Sequence, residues 1–366
     1  MEKSHKIKLL VGLLCSFIPL ILLFALCCFC WKRLWRHGRR KSESLEAGGE
    51  TGGCGAEENE DLEEEDLVKF AGGESLTVHD ILDAPGEVVG KSGYGTLYSA
   101  SIERSGSMVL LRFVRPACVG QTEEVLLAAW ALGAIRHPNV VPLRAMYAGP
   151  RGEKLFVHPF YAAGSLKQFL RAGVAEAHRW DIIYKLSLGI SKGLDHLHTG
   201  LDKPIVHGNL KTNNILLDAD FLPRLSDFGL HLILNPAAAQ EMLEASAAQG
   251  YKAPELVKVK DISKETDIYS LGVILLEMLT QKDPINSNFL QSKDFHLPTS
   301  LKNLVLEHKV SDVFNSELVN QSINQNSTNE QSLMMLFQLA IACCAPSPSL
   351  RPDIKCVVAQ LEDIAQ

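Results

Sequence analysis

The stretch "VHGNLKTNNILLD", residues 206–218, gathers Asn209, Lys211 and Asn214, and "SDFG" at 226–229 adds Asp227. A carboxylate and an amide oxygen are hard donors of the kind that magnesium takes. Asn209 offers something weaker. Its amide is nearly isosteric with a carboxylate and can orient a hydroxyl, but it cannot accept the hydroxyl's proton. A positioned acid–base group typically contributes about 10²–10⁴-fold to such a step. Further upstream, "GKSGYG" at 90–95 is a glycine-rich turn in which backbone can approach a phosphate closely, although Ser92 puts a side chain in its middle. Arg112, in "VLLR", adds a charge that never titrates away. Together these are residue types that could handle a phosphate, with an amide and no carboxylate at position 209.

Two kinds of element must position them. From about residue 76 the sequence reads as globular. "EVVGKSGYGTLYSASI" and "SMVLLRFVR" predict strands around glycine-rich turns, and "VVPLRAMYA" and "KLFVHPF" predict two more strands joined by "GPRGE". "TEEVLLAAWALGAI" has helical periodicity. "RWDIIYKLSLGISKGLDHLHTG" places Ile183, Leu186, Ile190, Leu194 and Leu197 on one helical face, with Gly200 as its stop. Strands first and helices later predict two lobes. No internal repeat is visible, and "FNSELVNQSINQNSTNEQS" at 314–332 reads as a polar surface loop.

The N-terminal part is of another character. Residues 9–31 carry no charge, a run long enough to span the hydrocarbon core as a helix, and Pro19 is tolerated there. The run is too long for a signal peptide, and basic residues at both ends argue against a buried core helix. The flank that follows, "KRLWRHGRRK", is basic without an acid, which puts the C-terminal side in the cytoplasm and suits anionic lipid. Residues 1–8 are then a short extracytoplasmic stub. Cys27, Cys28 and Cys30, near the cytoplasmic end, are candidates for palmitoylation or plain span residues. Residues 42–68 hold eleven acids and no lysine or arginine, so the segment reads as a flexible tether, and 32–75 as juxtamembrane segment and linker. No spacing among the nine cysteines resembles a zinc site. A net charge of −7 gives no reason to expect nucleic-acid binding.

Taken in order, "HPNVVPL", "GSL", the "W…GL…LH" helix, "HGN", "SDFG", "GYKAPEL" and "SLRP" resemble a protein kinase domain of the plant leucine-rich-repeat receptor-like type, over roughly residues 66–364. The resemblance implies an α+β, two-lobed kinase-like fold after a single transmembrane helix, with lobes at about 76–160 and 161–366. It puts Asp227 and Asn214 at the magnesium positions and Lys211 at the catalytic-loop lysine. It puts Gly90, Ser92, Gly95, Leu97, Leu110, Arg112 and Tyr161 at the nucleotide positions. Glu255 and Arg351 match a structural ion pair, Asp267 the anchor of the catalytic loop, and His207, Phe228 and Leu132 a packed column between the lobes.

The departures fall on the chemistry. Arg112 stands for the phosphate-binding lysine, and its planar fork is not a geometric equivalent. Leu110 replaces an alanine that lies against adenine. Ala128 stands where the lysine's glutamate partner belongs, with Glu124 one turn earlier. Asn209 replaces the catalytic aspartate, and Gly208 the arginine that receives an activation-segment phosphate. Residues 230–249 contain one hydroxyl, Ser246. The expectation is a membrane-tethered pseudokinase in the plasma membrane, with its kinase-like domain cytosolic and active receptor-like kinases or their substrates as partners. ATP and magnesium binding should be weak or absent. The alternatives are a weak serine/threonine kinase and an ATP-binding switch.

Overall fold

The computed structural model describes residues 66–257, 262–285, 296–306, 314 and 328–364. The apolar run at 9–31, the basic flank, Cys27, Cys28, Cys30 and residues 315–327 of the expected polar loop lie outside these residues; the end of that loop, 328–332, is instead the first turn of a helix. Among the described residues, no helix is long and apolar enough to cross a membrane.

The first lobe is an antiparallel sheet. Its strands are β1 (Leu67–Lys69), β2 (Gly86–Lys91), β3 (Gly95–Ile102), β4 (Ser107–Val114), β5 (Ala145–Ala148) and β6 (Lys154–Pro159), in the order β1-β5-β6-β4-β3-β2. Strand alternation sorts β4 into two faces. Val109 and Leu111 join Leu76, Val78 and Ile81 in a small core on one side, around the short helix α1 (Val78–Leu82). Leu110 and Arg112 line the cleft on the other side. Part of the expected linker is therefore sheet: β1 pairs with β5 from Leu67 onward, and Phe70 packs edge-on to Trp130 at 5.4 Å. The acid-rich run hides this three-residue strand, which is too short to show a period of its own. Helix α2 (Thr122–Gly133) buries Val125, Ala129 and Leu132.

The second lobe is mainly helical. It begins with α3 (Leu166–Arg171), capped by Ser165 and Gln168. Helix α4 (Trp180–Thr199) buries the predicted face and stops at Gly200. A two-stranded ribbon, β7 (Ile215–Leu217) with β8 (Pro223–Leu225), follows the catalytic-loop residues. Helix α5 (Pro236–Ala248) occupies the activation segment. Helix α6 (Lys264–Thr280) is buried on every side from Thr266 onward, and its buried acids are partnered: Asp267 by the His207 and Gly208 N–H groups, Glu277 by Lys167, Arg171 and Tyr251. Helices α7 (Leu297–Leu306), α8 (Thr328–Cys343) and α9 (Ile354–Ile364) complete the lobe, with α8 packed on α6 and α9 on α4. One apolar core runs continuously from Phe70 and Leu132 in the first lobe to Ile364 in the second.

Candidate functional site

Between the lobes lies a cleft of about 500 Å³, lined among others by Gly90, Ser92, Leu97, Leu110, Arg112, Tyr161, Lys211, Asn214 and Asp227. Gly95 and Ser92 close the glycine-rich turn: the Ser92 N–H donates to the Gly95 carbonyl at 2.9 Å, and the Ser92 hydroxyl donates to the same oxygen at 3.2 Å. A side chain at Gly95 would run into the Phe113 carbonyl, so glycine is obligatory there. At Gly90 a methyl would meet only ordinary contact with Leu97.

Asp267 fixes the loop that carries Asn209. Its carboxylate accepts from the His207 N–H at 2.7 Å, the Gly208 N–H at 2.9 Å and the His198 ring at 2.9 Å. The Asn214 amide donates to the Asn209 carbonyl at 2.8 Å. Asn209 itself is 2% exposed, and its side-chain amide faces the Tyr94 phenol. Burial keeps the Lys211 ammonium below its ordinary pKa; Asp227 opposes that shift and Arg112 adds to it.

Arg112 decides the electrostatics. Its Nη2 donates to the Asp227 Oδ2 at 2.7 Å, with the two side chains only 9% and 11% exposed. Ala128 offers it nothing, and Glu124 is exposed on the solvent side of α2. The guanidinium therefore takes the carboxylate that the resemblance reserves for a metal. Asp227 sits at φ 60°, in the left-handed region. Among the described residues lining the cleft it is the only carboxylate, against Lys91, Arg112, Lys167 and Lys211. Asn214 keeps an amide oxygen and Asp227 its Oδ1, but Arg112 holds Asp227 Oδ2, so magnesium would have to compete with a guanidinium for its carboxylate ligand.

The structural residues meet as follows. Arg351 grips Glu255 with two parallel bonds of 2.7 Å and stacks over the Tyr269 ring. His207 and Phe228 meet edge to face at 6.4 Å, and Leu132 packs against the turn at Gly229. Arg224 lies over the Tyr161 ring at 5.3 Å. Gly208 has φ 74°, and a side chain there would reach 2.7 Å from the Ile262 Cδ1 and 2.9 Å from the His231 Nδ1. His231 and Ile262 thus fill the room beside the vanished arginine. Ser246 is buried, which closes it to modification in this conformation.

Three features escaped sequence reading. Tyr94, at the tip of the glycine-rich turn, is 6% exposed and lies beside Asn209, Asp227 and Arg112; burial, helped by Asp227, raises its phenol pKa. The Glu241 carboxylate of α5 occupies the space where a side chain at Gly93 would begin. The Gly93 carbonyl is held by Arg115 at 2.6 Å. The activation-segment helix itself was signalled, by Asn235 as cap, Pro236 at the first position and the alanines behind them.

A cleft between an antiparallel sheet lobe and a helical lobe, with these loops at its edge, defines a kinase-class protein. The protein kinase domain model matches residues 84–361. This chain belongs to the protein kinase domain family, and its relatives are plant receptor-like kinases. It is 39% identical over 323 residues to a kinase-like protein of Arabidopsis thaliana, TMKL1, covering 88% of this chain and 47% of that one. It is also 39% identical over 325 residues to the Arabidopsis leucine-rich repeat receptor-like kinase IMK3, covering 88% and 38%. A relative from the same plant named as an inactive receptor kinase is 32% identical, covering 83% and 47%. The chain spans less than half the length of each. Among solved structures, the kinase domain of maize SIRK1 bound to AMP-PNP superposes with a TM-score of 0.71 at 27% identity, covering 82% of this chain and all of that one. The pseudokinase domain of BIR2 shares the fold, with a TM-score of 0.67 at 23% identity, covering 85% and 93%.

Proposed function

We propose that this chain is a membrane-anchored receptor-like pseudokinase, one that docks onto active kinases or biases them instead of transferring phosphate. The Arg112–Asp227 ion pair carries the reading. An active kinase needs that aspartate on its metal and the lysine of this strand on a glutamate of the neighbouring helix. Here one substitution, Arg112, engages the first, and Ala128 removes the second. Asn209 then leaves no proton acceptor at the remaining position. Anchoring rests on the apolar run at 9–31 and the basic flank after it. Activation-loop phosphorylation finds no exposed hydroxyl in residues 230–253, where Ser246 and Tyr251 are both buried.

Purified protein should show no phosphotransfer above an Asp227→Ala control. Asn209→Asp alone should not rescue it, because catalytic parts act as a unit and single repairs are not additive. Rescue should require Leu110→Ala, Arg112→Lys, Ala128→Glu and Asn209→Asp together. Substantial activity in the single Asn209→Asp variant would return the chain to the weak serine/threonine kinases. The open cleft of about 500 Å³ favours one second reading, a conformational switch set by nucleotide.

A further inference from the structure

The ion pair at the cleft floor does more than block a metal. We infer that Arg112 takes the place of the divalent cation, so that this cleft receives the polyphosphate of an adenine nucleotide through side-chain cations, without magnesium. The inference takes from the reading above only that Asp227 is lost to the metal.

Four observations carry it. Arg112 and Asp227 meet at 2.7 Å in a nearly buried pair, so magnesium would have to displace a guanidinium that cannot give up its charge. Magnesium also sheds its own water reluctantly and demands near-octahedral oxygen ligands, which one engaged carboxylate and one amide do not supply. The Arg112 Nε is buried without a partner, a donor still unmet after the pair has formed. A phosphate oxygen is the acceptor that a guanidinium fork matches best. The charged residues lining the cleft are four cations and one acid; Arg112 is paired with Asp227, and Lys167 with Glu277 and Asp283, which leaves the charges of Lys91 and Lys211 as the surplus. Free ATP carries more negative charge than its magnesium complex, so this lining favours the free form. Tyr94 and Lys211 face the same region and bring a phenol and an ammonium as further donors. Leu110 and Leu97 leave an apolar wall at the other end for the base.

The test is thermal stabilisation of the full chain by ATP, once in excess EDTA and once in excess magnesium chloride. The expected result is a shift in EDTA at least as large as that in magnesium. A shift seen with magnesium alone, or none in either condition, overturns the inference. Two variants sharpen it. Asp227→Asn should bind ATP several-fold more tightly in EDTA, because it removes the carboxylate that competes for Arg112 and repels phosphate; a site that used the metal would instead lose affinity in magnesium chloride, and unchanged or weaker binding in EDTA counts against the inference. Arg112→Ala should lose tenfold or more, and undiminished binding overturns it. Should either variant fail to fold, the two arms on the unaltered protein still decide. Failure of the pseudokinase reading would show separately, as phosphate transfer.

Discussion

Leu110 and Arg112 stand two residues apart on one face of β4, and the cleft owes its character to both. The sequence shows that each is the wrong residue for an active kinase; it does not show what they do. Arg112 has a long side chain with several carboxylates to choose from in principle, and only the folded geometry reveals that it reaches Asp227 and ignores α2. The burial of Asn209 against Tyr94 is likewise invisible in sequence, because burial and partner are properties of the fold. Leu110, by contrast, can be read directly: a branched side chain on the cleft face, 7% exposed. Leu110→Ala should therefore act twice. It should tighten ATP binding several-fold by giving the base more room. It should also cost about 2–5 kcal/mol of stability, the usual range for emptying a buried leucine site. A titration monitored by melting temperature reads both effects. An affinity that does not change would show that Leu110 is no obstruction to the nucleotide.

The elements were legible where their period was long enough. The strands β2 to β4 and the helices α2 and α4 follow from alternation and from the 3.6-residue face. β1 does not, being three residues beside a run of acids. Helix α5 is different again, since its cap signals are in the sequence but its consequence is not. It replaces a phosphorylatable loop with a capped helix whose Glu241 abuts the glycine-rich turn at Gly93. Two further contacts tie the activation segment to the first lobe: Asn235 donates through its side chain to the Ala117 carbonyl at 2.8 Å, and Gly120 donates to the Ile233 carbonyl at 2.8 Å. The segment thus holds the turn closed over Tyr94 by contacts alone. Asn235→Ala removes the cap bond to the Ala238 N–H as well as the Ala117 contact, and should cost about 1 kcal/mol. Hydrogen exchange should quicken across Pro236–Ala248 and, through Glu241, across the turn at 91–95. Faster exchange in the helix without any change in the turn would show that the two are not coupled.

At the scale of the whole molecule, His207 is a residue that links packing to pH. It is fully buried, lies edge-on to Phe228, and hangs from Asp267 by its backbone N–H. Its Nδ1 accepts from the Asn209 N–H at 3.3 Å. Protonation would set a second donor against that N–H, in a fully buried site. Burial accordingly pushes the His207 pKa from 6.5 down to about 4, with the negative charges of Asp267 and Asp227 opposing the shift and His198 adding to it. The sign follows from proton binding. Between pH 6.5 and 4 the unfolded chain carries a proton on this histidine that the folded chain refuses. The neutral ring therefore contributes its full stability above pH 6.5. That contribution drains away as the pH falls and is spent once the pH has passed about 4, for a loss on the order of 3 kcal/mol. Melting temperatures across that window should fall steadily in the unaltered protein and more gently in His207→Phe, which keeps the ring against Phe228 and cannot titrate. Equal slopes in the two proteins would move the acid sensitivity to another group.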